Sequence, residues 1–322
     1  MLIARKEVEA PEQLLERVAQ ARVRTDEIFS VVTADSLYER PIPERHRIIF
    51  YIGHLEAFDW NLLRERVLDM KPFAADLDKL FAFGIDPVNG LLPTDQPSDW
   101  PSVENTRRYV SRIRESIDAG LATLDSSEWN SIRAQTDYSP SKLLNVSIEH
   151  RLMHAETLAY MLHQLPLERK VRKARAPELV VSPSVPGMIE IPAGRATLGM
   201  SSQDGVFGWD NEFEAQTVDV PAFAIDKYKV TNRQYLDFIT AGGYENSAFW
   251  LEQDWDWRAA NDIRRPVFWI QKNDRWYFRS MFDEIPLPMD WPVYVSQAEA
   301  SAYSCWANKS LPTEAQLSLI HI

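Results

Sequence analysis

Cysteine is almost absent from this chain: Cys305 is the only one in 322 residues. A lone thiol excludes an intramolecular disulfide framework. The opening Met1-Leu2-Ile3-Ala4-Arg5-Lys6 lacks the apolar stretch and small-residue cleavage site of a secretory signal. Together these predict a cytoplasmic protein in a reducing compartment. No apolar run is long enough to span a bilayer, so no membrane partner is expected. Positive charge is also short. The 35 Lys and Arg stand against 47 Asp and Glu, a net charge of −12, which disfavours nucleic acid or another polyanion as partner. Neither common glycine-rich phosphate loop is present, so nucleotide chemistry has no support. Internal repeats and low-complexity tracts are missing as well.

What the chain does have is apolar and aromatic material. Hydrophobic residues make up 45%, with 11 Trp, 11 Tyr and 14 Phe, enough for two cores. The first half has helical periodicity. Leu14, Val18, Ala21, Ile28 and Val32 recur at steps of three and four, with Thr25 in the gap. A second helix is predicted from Pro43 towards Met70, carrying Ile48, Ile52, Leu55 and Leu62 on one stripe. A third starts at Ser102, with Val110, Ile113, Ile117, Leu121 and Leu124 inward. The fourth is capped by Ser139, has Pro140 in its first turn and runs to Leu165. Four amphipathic helices with a long second connection predict an all-α four-helix bundle over residues 1–168.

Residues 169–186 read as a linker: Arg169, Lys170, Arg172, Lys173 and Arg175 form a solvated basic run, followed by Pro177, Pro183 and Pro186. From Gly187 the texture changes. Short β-rich runs (188–191, 218–220, 223–225) alternate with turns, tryptophan is dense, and helices are expected near 232–240 and 296–307. This predicts an irregular α+β domain over 187–316.

His150 and His154 lie four apart on the predicted fourth helix. Four residues turn a helix by about 400°, so both imidazoles leave one side, one turn apart, and can converge on one ion. The apolar neighbours Val146, Met153 and Leu158 predict an inward direction. His54 sits mid-helix among Phe50, Tyr51, Ala57 and Phe58. A buried histidine also serves as an ordinary hydrogen-bonded core residue, and pairs at this spacing occur without metal; the third histidine is what favours a site. Arg151 stands where a zinc protease needs its glutamate base. No histidine follows a glutamate by three residues, so the di-iron carboxylate pattern is missing. His46 is at a helix start, and His163 falls on the opposite face. Glu156 could give a carboxylate, but two residues from His154 it points elsewhere, and the more natural role is to orient a ligand or neighbour. Three neutral imidazoles would leave an octahedral ion three open positions, enough for two substrates and O2. The spacing itself fits zinc as well as iron.

The stretch Arg45-His46-Arg47-Ile48-Ile49-Phe50-Tyr51-Ile52-Gly53-His54-Leu55-Glu56 resembles the first histidine motif of the ergothioneine-type sulfoxide synthases. His150-xxx-His154-x-Glu156 is similar to their His-x3-His-x-Glu motif. The second half resembles the formylglycine-generating-enzyme (sulfatase-modifying-factor) domain, C-type-lectin-like in fold. The residues that carry it are 194–200 (Gly-Arg-Ala-Thr-Leu-Gly-Met), 207–212 (Phe-Gly-Trp-Asp-Asn-Glu), 228–235 (Tyr-Lys-Val-Thr-Asn-Arg-Gln-Tyr), 291–296 (Trp-Pro-Val-Tyr-Val-Ser) and 311–315 (Leu-Pro-Thr-Glu-Ala). The resemblance implies a DinB-like bundle in which His54, His150 and His154 bind Fe(2+), with Glu156 outside the ligand set. It also implies O2-dependent joining of a thiol, cysteine or γ-glutamylcysteine, to the imidazole of hercynine. Arg107 and Arg108, just before Tyr109, are the candidate cations for the thiol's carboxylate. The other readings are a DinB-like thiol transferase, often zinc-dependent, and a metal-binding bundle fused to a lectin-like recognition module. The first of these usually lacks a second domain.

Members of that family continue well past the Leu-Pro-Thr-Glu-Ala motif. Here six residues follow Gln316, Leu317-Ser318-Leu319-Ile320-His321-Ile322, and they resemble translated sequencing adaptor more than family sequence. The expectation is an incomplete second domain with a non-native tail at 317–322. The tyrosine that assists O2 chemistry in the family, and much of its trimethylammonium pocket, would lie in the missing part. Such a fragment should bind metal without necessarily turning over.

Overall fold

The computed structural model describes residues 10–85, 91–125, 127–129, 131, 139–173 and 186–321. The chain divides into two compact units, 1–175 and 176–322.

In the first unit the described helices are α1 (Pro11–Ser30), α2 (Ile48–Leu63), α3 (Ala75–Phe83), α4 (Val103–Leu121) and α5 (Pro140–Gln164). The long four pack as a bundle, α1 on α5 and α2 on both α4 and α5, while α3 lies against α2 within the long connection. The helix starts follow local chemistry. Pro11 and Pro140 occupy first-turn positions, where a missing N–H costs nothing, and the Ser102 and Ser139 hydroxyls accept from the N–H groups of Asn105 and Lys142. Ile49, Trp60, Ile113, Ile117, Leu144, Ile148 and Leu158 bury the inner faces almost completely.

The second helix is shorter than its periodicity predicts. Pro43 lies in a turn and not at the helix start, because the residue before each proline is biased towards extended backbone. The Ile48 N–H instead donates to the Glu39 carbonyl. Arg40 and Arg47 hold this approach in place through the buried Asp95 carboxylate, which also accepts from Trp100 Nε1 at 2.7 Å. At the other end the helix stops at Leu63, and Asp69 has a positive φ of 49°. Leu124 falls beyond α4, and Val110 is half-buried.

The start of the expected linker is not a freely solvated run. Lys170 is buried and pairs with Val32 in a β-bridge, and the Val171 N–H donates to the Val31 carbonyl at 2.7 Å. The backbone after α5 thus returns to the end of α1, with Arg169 beside Glu39 at 3.5 Å. Arg175, Pro177 and Pro183 lie outside the described residues.

The second unit is built from small antiparallel sheets: β1 (Met188–Ile191) with β4 (Phe223–Asp226), β2 (Gly194–Leu198) with β3 (Gln216–Val220), and β5 (Trp269–Lys272), β6 (Arg275–Arg279) and β7 (Glu284–Pro286) in sequence order. Helices α6 (Asn232–Thr240), α7 (Glu252–Ala260), α8 (Gln297–Trp306) and α9 (Glu314–His321) accompany them. Capping boxes start α6 at Thr231 with Gln234 and α8 at Ser296 with Glu299. Tyr235, Phe238, Tyr244, Trp250 and Trp269 are buried together in an aromatic core. Residues 317–321 of the expected tail form the end of α9 and pack on β2. Ser318 donates to the Thr197 carbonyl at 2.8 Å, and Leu319 covers Gly194.

Candidate metal centre

The 25-residue α5 carries His150 and His154 one turn apart, and α2 brings His54 opposite them. One ring nitrogen of each lies within 4.8 Å of the others. Ring centroids are 5.1 Å apart for His54 and His150, 4.9 Å for His54 and His154, and 4.5 Å for His150 and His154. His150 is buried, while His54 and His154 are half-buried, so the group opens towards solvent on their side.

Hydrogen bonding fixes the chemical state of His54. Its Nδ1 lies 2.7 Å from the carbonyl oxygen of Phe81, in the last turn of α3. A carbonyl only accepts, so Nδ1 carries the proton, and the neutral ring has its lone pair on Nε2. That nitrogen sits 3.1 Å from His154 Nε2. Two nitrogens at ~2.1 Å from one ion and at roughly right angles to each other lie ~3 Å apart, so this spacing suits two ligands of a shared cation. Nδ1 of His150 and Nδ1 of His154 are buried without a hydrogen-bond partner among the described residues. An ordinary core histidine would be satisfied; with the proton of His154 on Nδ1, both facing Nε2 atoms present lone pairs that a cation would accept.

The electrostatics point the same way. Burial first, then the neighbouring histidines, pushes His150 down to about 2. Burial, then His54 and the Arg45 charge, pushes His154 down to about 4. His54 is also lowered, by burial, against the pull of its Phe81 hydrogen bond. All three are neutral at pH 7, the form that ligates metal.

Each imidazole is held by an aromatic ring from α2. Phe58 stacks on His150 at 3.6 Å, Phe50 on His54 at 4.7 Å, and Tyr51 stands 5.7 Å from His154. Phe50, His54 and Phe58 follow one another at four-residue steps, a stripe readable in the sequence, though its bracing role was not. Behind the histidines, buried Arg151 joins α5 to Glu56 and Asp59 of α2. Burial works to raise the Glu56 carboxyl, and the guanidiniums of Arg151 and Arg114 overcome it, holding it below the usual carboxylate range.

Other expected site residues fall elsewhere. Arg107 and Arg108 are exposed on α4, and Arg108 pairs with Glu104 one turn back at 2.8 Å. A cation whose charge does reach His154 is Arg45, which donates to the Tyr160 hydroxyl at 3.1 Å. Glu156 is exposed and has no part in the cluster among the described residues. At 100° per residue it leaves α5 about 200° away from His154, too far round to orient a ligand. Met153 is 49% exposed, so it was no guide to the inward face; Ile148, Ala155 and Leu158 line that face. His46 packs on Phe50 at 4.2 Å and stays outside the trio, as does the half-buried His163.

Comparison with known proteins divides the chain in the same order. Residues 17–158 match the DinB superfamily, and residues 173–319 match the sulfatase-modifying factor enzyme 1-like domain. The hercynine oxygenase of Mycobacterium tuberculosis is 29% identical over 325 residues, covering 95% of this chain and 69% of that protein. That of Mycolicibacterium smegmatis is 29% identical, covering 95% and 68%. Ergothioneine biosynthesis protein 1 of Neurospora crassa is 28% identical over 87% of this chain, which spans 35% of its length.

Proposed function

This chain belongs to the ergothioneine-type sulfoxide synthase family, with its DinB-superfamily bundle followed by a sulfatase-modifying-factor domain, and from that premise we propose that it serves ergothioneine biosynthesis as a non-haem iron(II) enzyme. The reaction is the O2-dependent joining of a thiol, cysteine or γ-glutamylcysteine, to the imidazole of hercynine, giving a sulfoxide. The observation that carries this reading is the convergence of three neutral imidazoles within 4.8 Å in the first unit.

His54, His150 and His154 would hold the ion. When bound, iron(II) supplies redox chemistry towards O2 and a cation that favours thiolate over thiol. The chain's own residues prepare for it. The Phe81 carbonyl keeps the His54 lone pair on Nε2, and Phe50, Phe58 and Tyr51 limit ring rotation, so the ligands need little reorganisation. Arg45, on the side of His154, joins Arg107 and Arg108 as a candidate cation for a substrate carboxylate.

Purification without oxygen and addition of Fe(2+) should give one iron per chain, reduced to none in His54→Ala, His150→Ala and His154→Ala. A chain that takes up no metal, or takes it up equally without these histidines, has no such centre. Oxygen uptake should then require hercynine and a thiol together. An iron-loaded chain that binds both and consumes no oxygen would exclude the coupling reaction, and thiol transfer without oxygen uptake would point to a transferase.

A further inference from the structure

Arg151 follows His150 directly, so its side chain leaves α5 about 100° round from the ligand face. It is 2% exposed, among the largest fully buried side chains of the described residues. Its guanidinium is committed almost entirely to α2. Nη1 donates to Glu56 Oε1 at 2.9 Å and to Thr25 Oγ1 of α1 at 3.3 Å. Nη2 donates to Asp59 Oδ2 at 2.7 Å and to the Leu55 carbonyl at 3.3 Å. Glu56 is anchored in turn by Arg114 of α4, whose other contacts are two bonds to Asp26 of α1 at 2.7 and 2.8 Å.

Two sets of contacts therefore join the same short stretches of α2 and α5. One is the histidine trio, His54 with His150 and His154. The other is Arg151 with Leu55, Glu56 and Asp59. The second has a planar, fixed fork, and a slide of α5 by one residue, ~1.5 Å, or a modest rotation would break both of its ionic bonds. Burying such ions adds little net stability, since apolar side chains of similar volume usually do as well. What the fork adds is a defined register.

We propose that Arg151 is a positioning residue. Its fork on Glu56 and Asp59 sets the height and rotation of α5 against α2, and so brings His150 and His154 to the metal-binding distance from His54. This rests on the reading of the three histidines as a metal centre.

The test is Co(2+) binding, followed by titration and by the visible spectrum of the bound ion, which reports ligand geometry without turnover. Arg151→Met combined with Asp59→Asn removes the fork and one carboxylate it serves, and leaves Glu56 with Arg114. This variant should keep its helical circular dichroism, lose ~10–100-fold in Co(2+) affinity and show an altered visible band. Arg151→Lys, a point charge unable to span both carboxylates, should fall between it and the wild type. The control is Tyr244→Phe, which removes a donor from the buried Glu299 carboxylate in the second unit, a unit that carries none of the three histidines. It should lower thermal stability and leave Co(2+) affinity and spectrum unchanged. Wild-type affinity and spectrum in both Arg151 variants would overturn the proposal, and so would an equal loss in the control. If the double variant does not fold, Arg151→Lys against the control decides it. A wild-type chain that binds no Co(2+) would overturn the metal-centre reading itself.

Discussion

His54 and Phe81 are joined across 27 residues of chain, the imidazole Nδ1–H donating at 2.7 Å to the backbone carbonyl. The same phenylalanine lays its ring on the helix residue just before the histidine. A Cβ built on Gly53 would stand 2.4 Å from the Phe81 ring. The absence of a side chain at Gly53 thus lets α3 approach α2 closely enough for that carbonyl to reach His54.

Gly53→Ala should therefore do the opposite of what helix propensity suggests. An interior Gly→Ala change ordinarily stabilises a helix by about 1 kcal/mol. Here the methyl group displaces Phe81, and overpacking of this kind costs about 1–3 kcal/mol. Chemical denaturation should show net destabilisation, and metal titration should show a weaker site because the orienting carbonyl has moved. A variant with raised stability and unchanged metal affinity would contradict the role given to α3.

The metal-free chain should lose stability as the pH falls below neutrality. Folding lowers His154 to about 4 and His150 to about 2, against 6.5 unfolded. Above 6.5 both states are neutral and stability is at its full value. Between 6.5 and 4 the unfolded chain takes up protons that the folded chain does not, so stability drops with falling pH. The His154 contribution levels off near 4 and that of His150 continues below it. Melting temperatures between pH 7.5 and 4.5, compared with His154→Gln, should show a smaller slope in the variant.

Arg45→Ala should weaken the binding of carboxylate-bearing small molecules to the metal-loaded chain by roughly tenfold, the scale of one charged hydrogen bond. Arg107→Ala and Arg108→Ala test the other two candidate cations, and the same loss in either would assign the carboxylate to it. Both side chains are exposed, so their removal should change folding stability by no more than about 0.5 kcal/mol and any loss of binding reports contact with the ligand. Calorimetric titration with cysteine and with hercynine separates the three variants.

In the second unit, Tyr244 donates to the buried Glu299 carboxylate at 2.5 Å and lies 3.1 Å from the Tyr235 hydroxyl. Tyr244→Phe leaves that carboxylate short of a donor and should cost about 1–3 kcal/mol. Loss of near-ultraviolet circular dichroism from the aromatic core at a lower temperature would be the signature.

The four long helices, their capping serines and the trio of histidines were legible because each rests on local rules: apolar spacing, a cap residue, two imidazoles one turn apart. The limits of α2 were not, since Asp95, some fifty residues away, holds the segment before Ile48. The Phe81 carbonyl had no signal at all, because a backbone acceptor is the same in every residue. Arg151 was read only as the wrong residue for a protease motif, and its partners on α2 were out of reach of sequence spacing. The exposure of Arg107 and Arg108 was likewise not legible, because spacing alone does not say which way α4 is turned.

Glu156 faces away from the centre, and this bears on how the chain comes by its ion. With only neutral nitrogen donors in the cluster among the described residues, nothing in that ligand set works against the general ranking in which copper and zinc bind more tightly than ferrous ion. The occupant then follows from which metals the surroundings offer as the polypeptide folds. Material produced in zinc-rich culture should emerge holding zinc, and on the proposed iron(II) reading an iron-limited cell would carry the chain without ferrous ion.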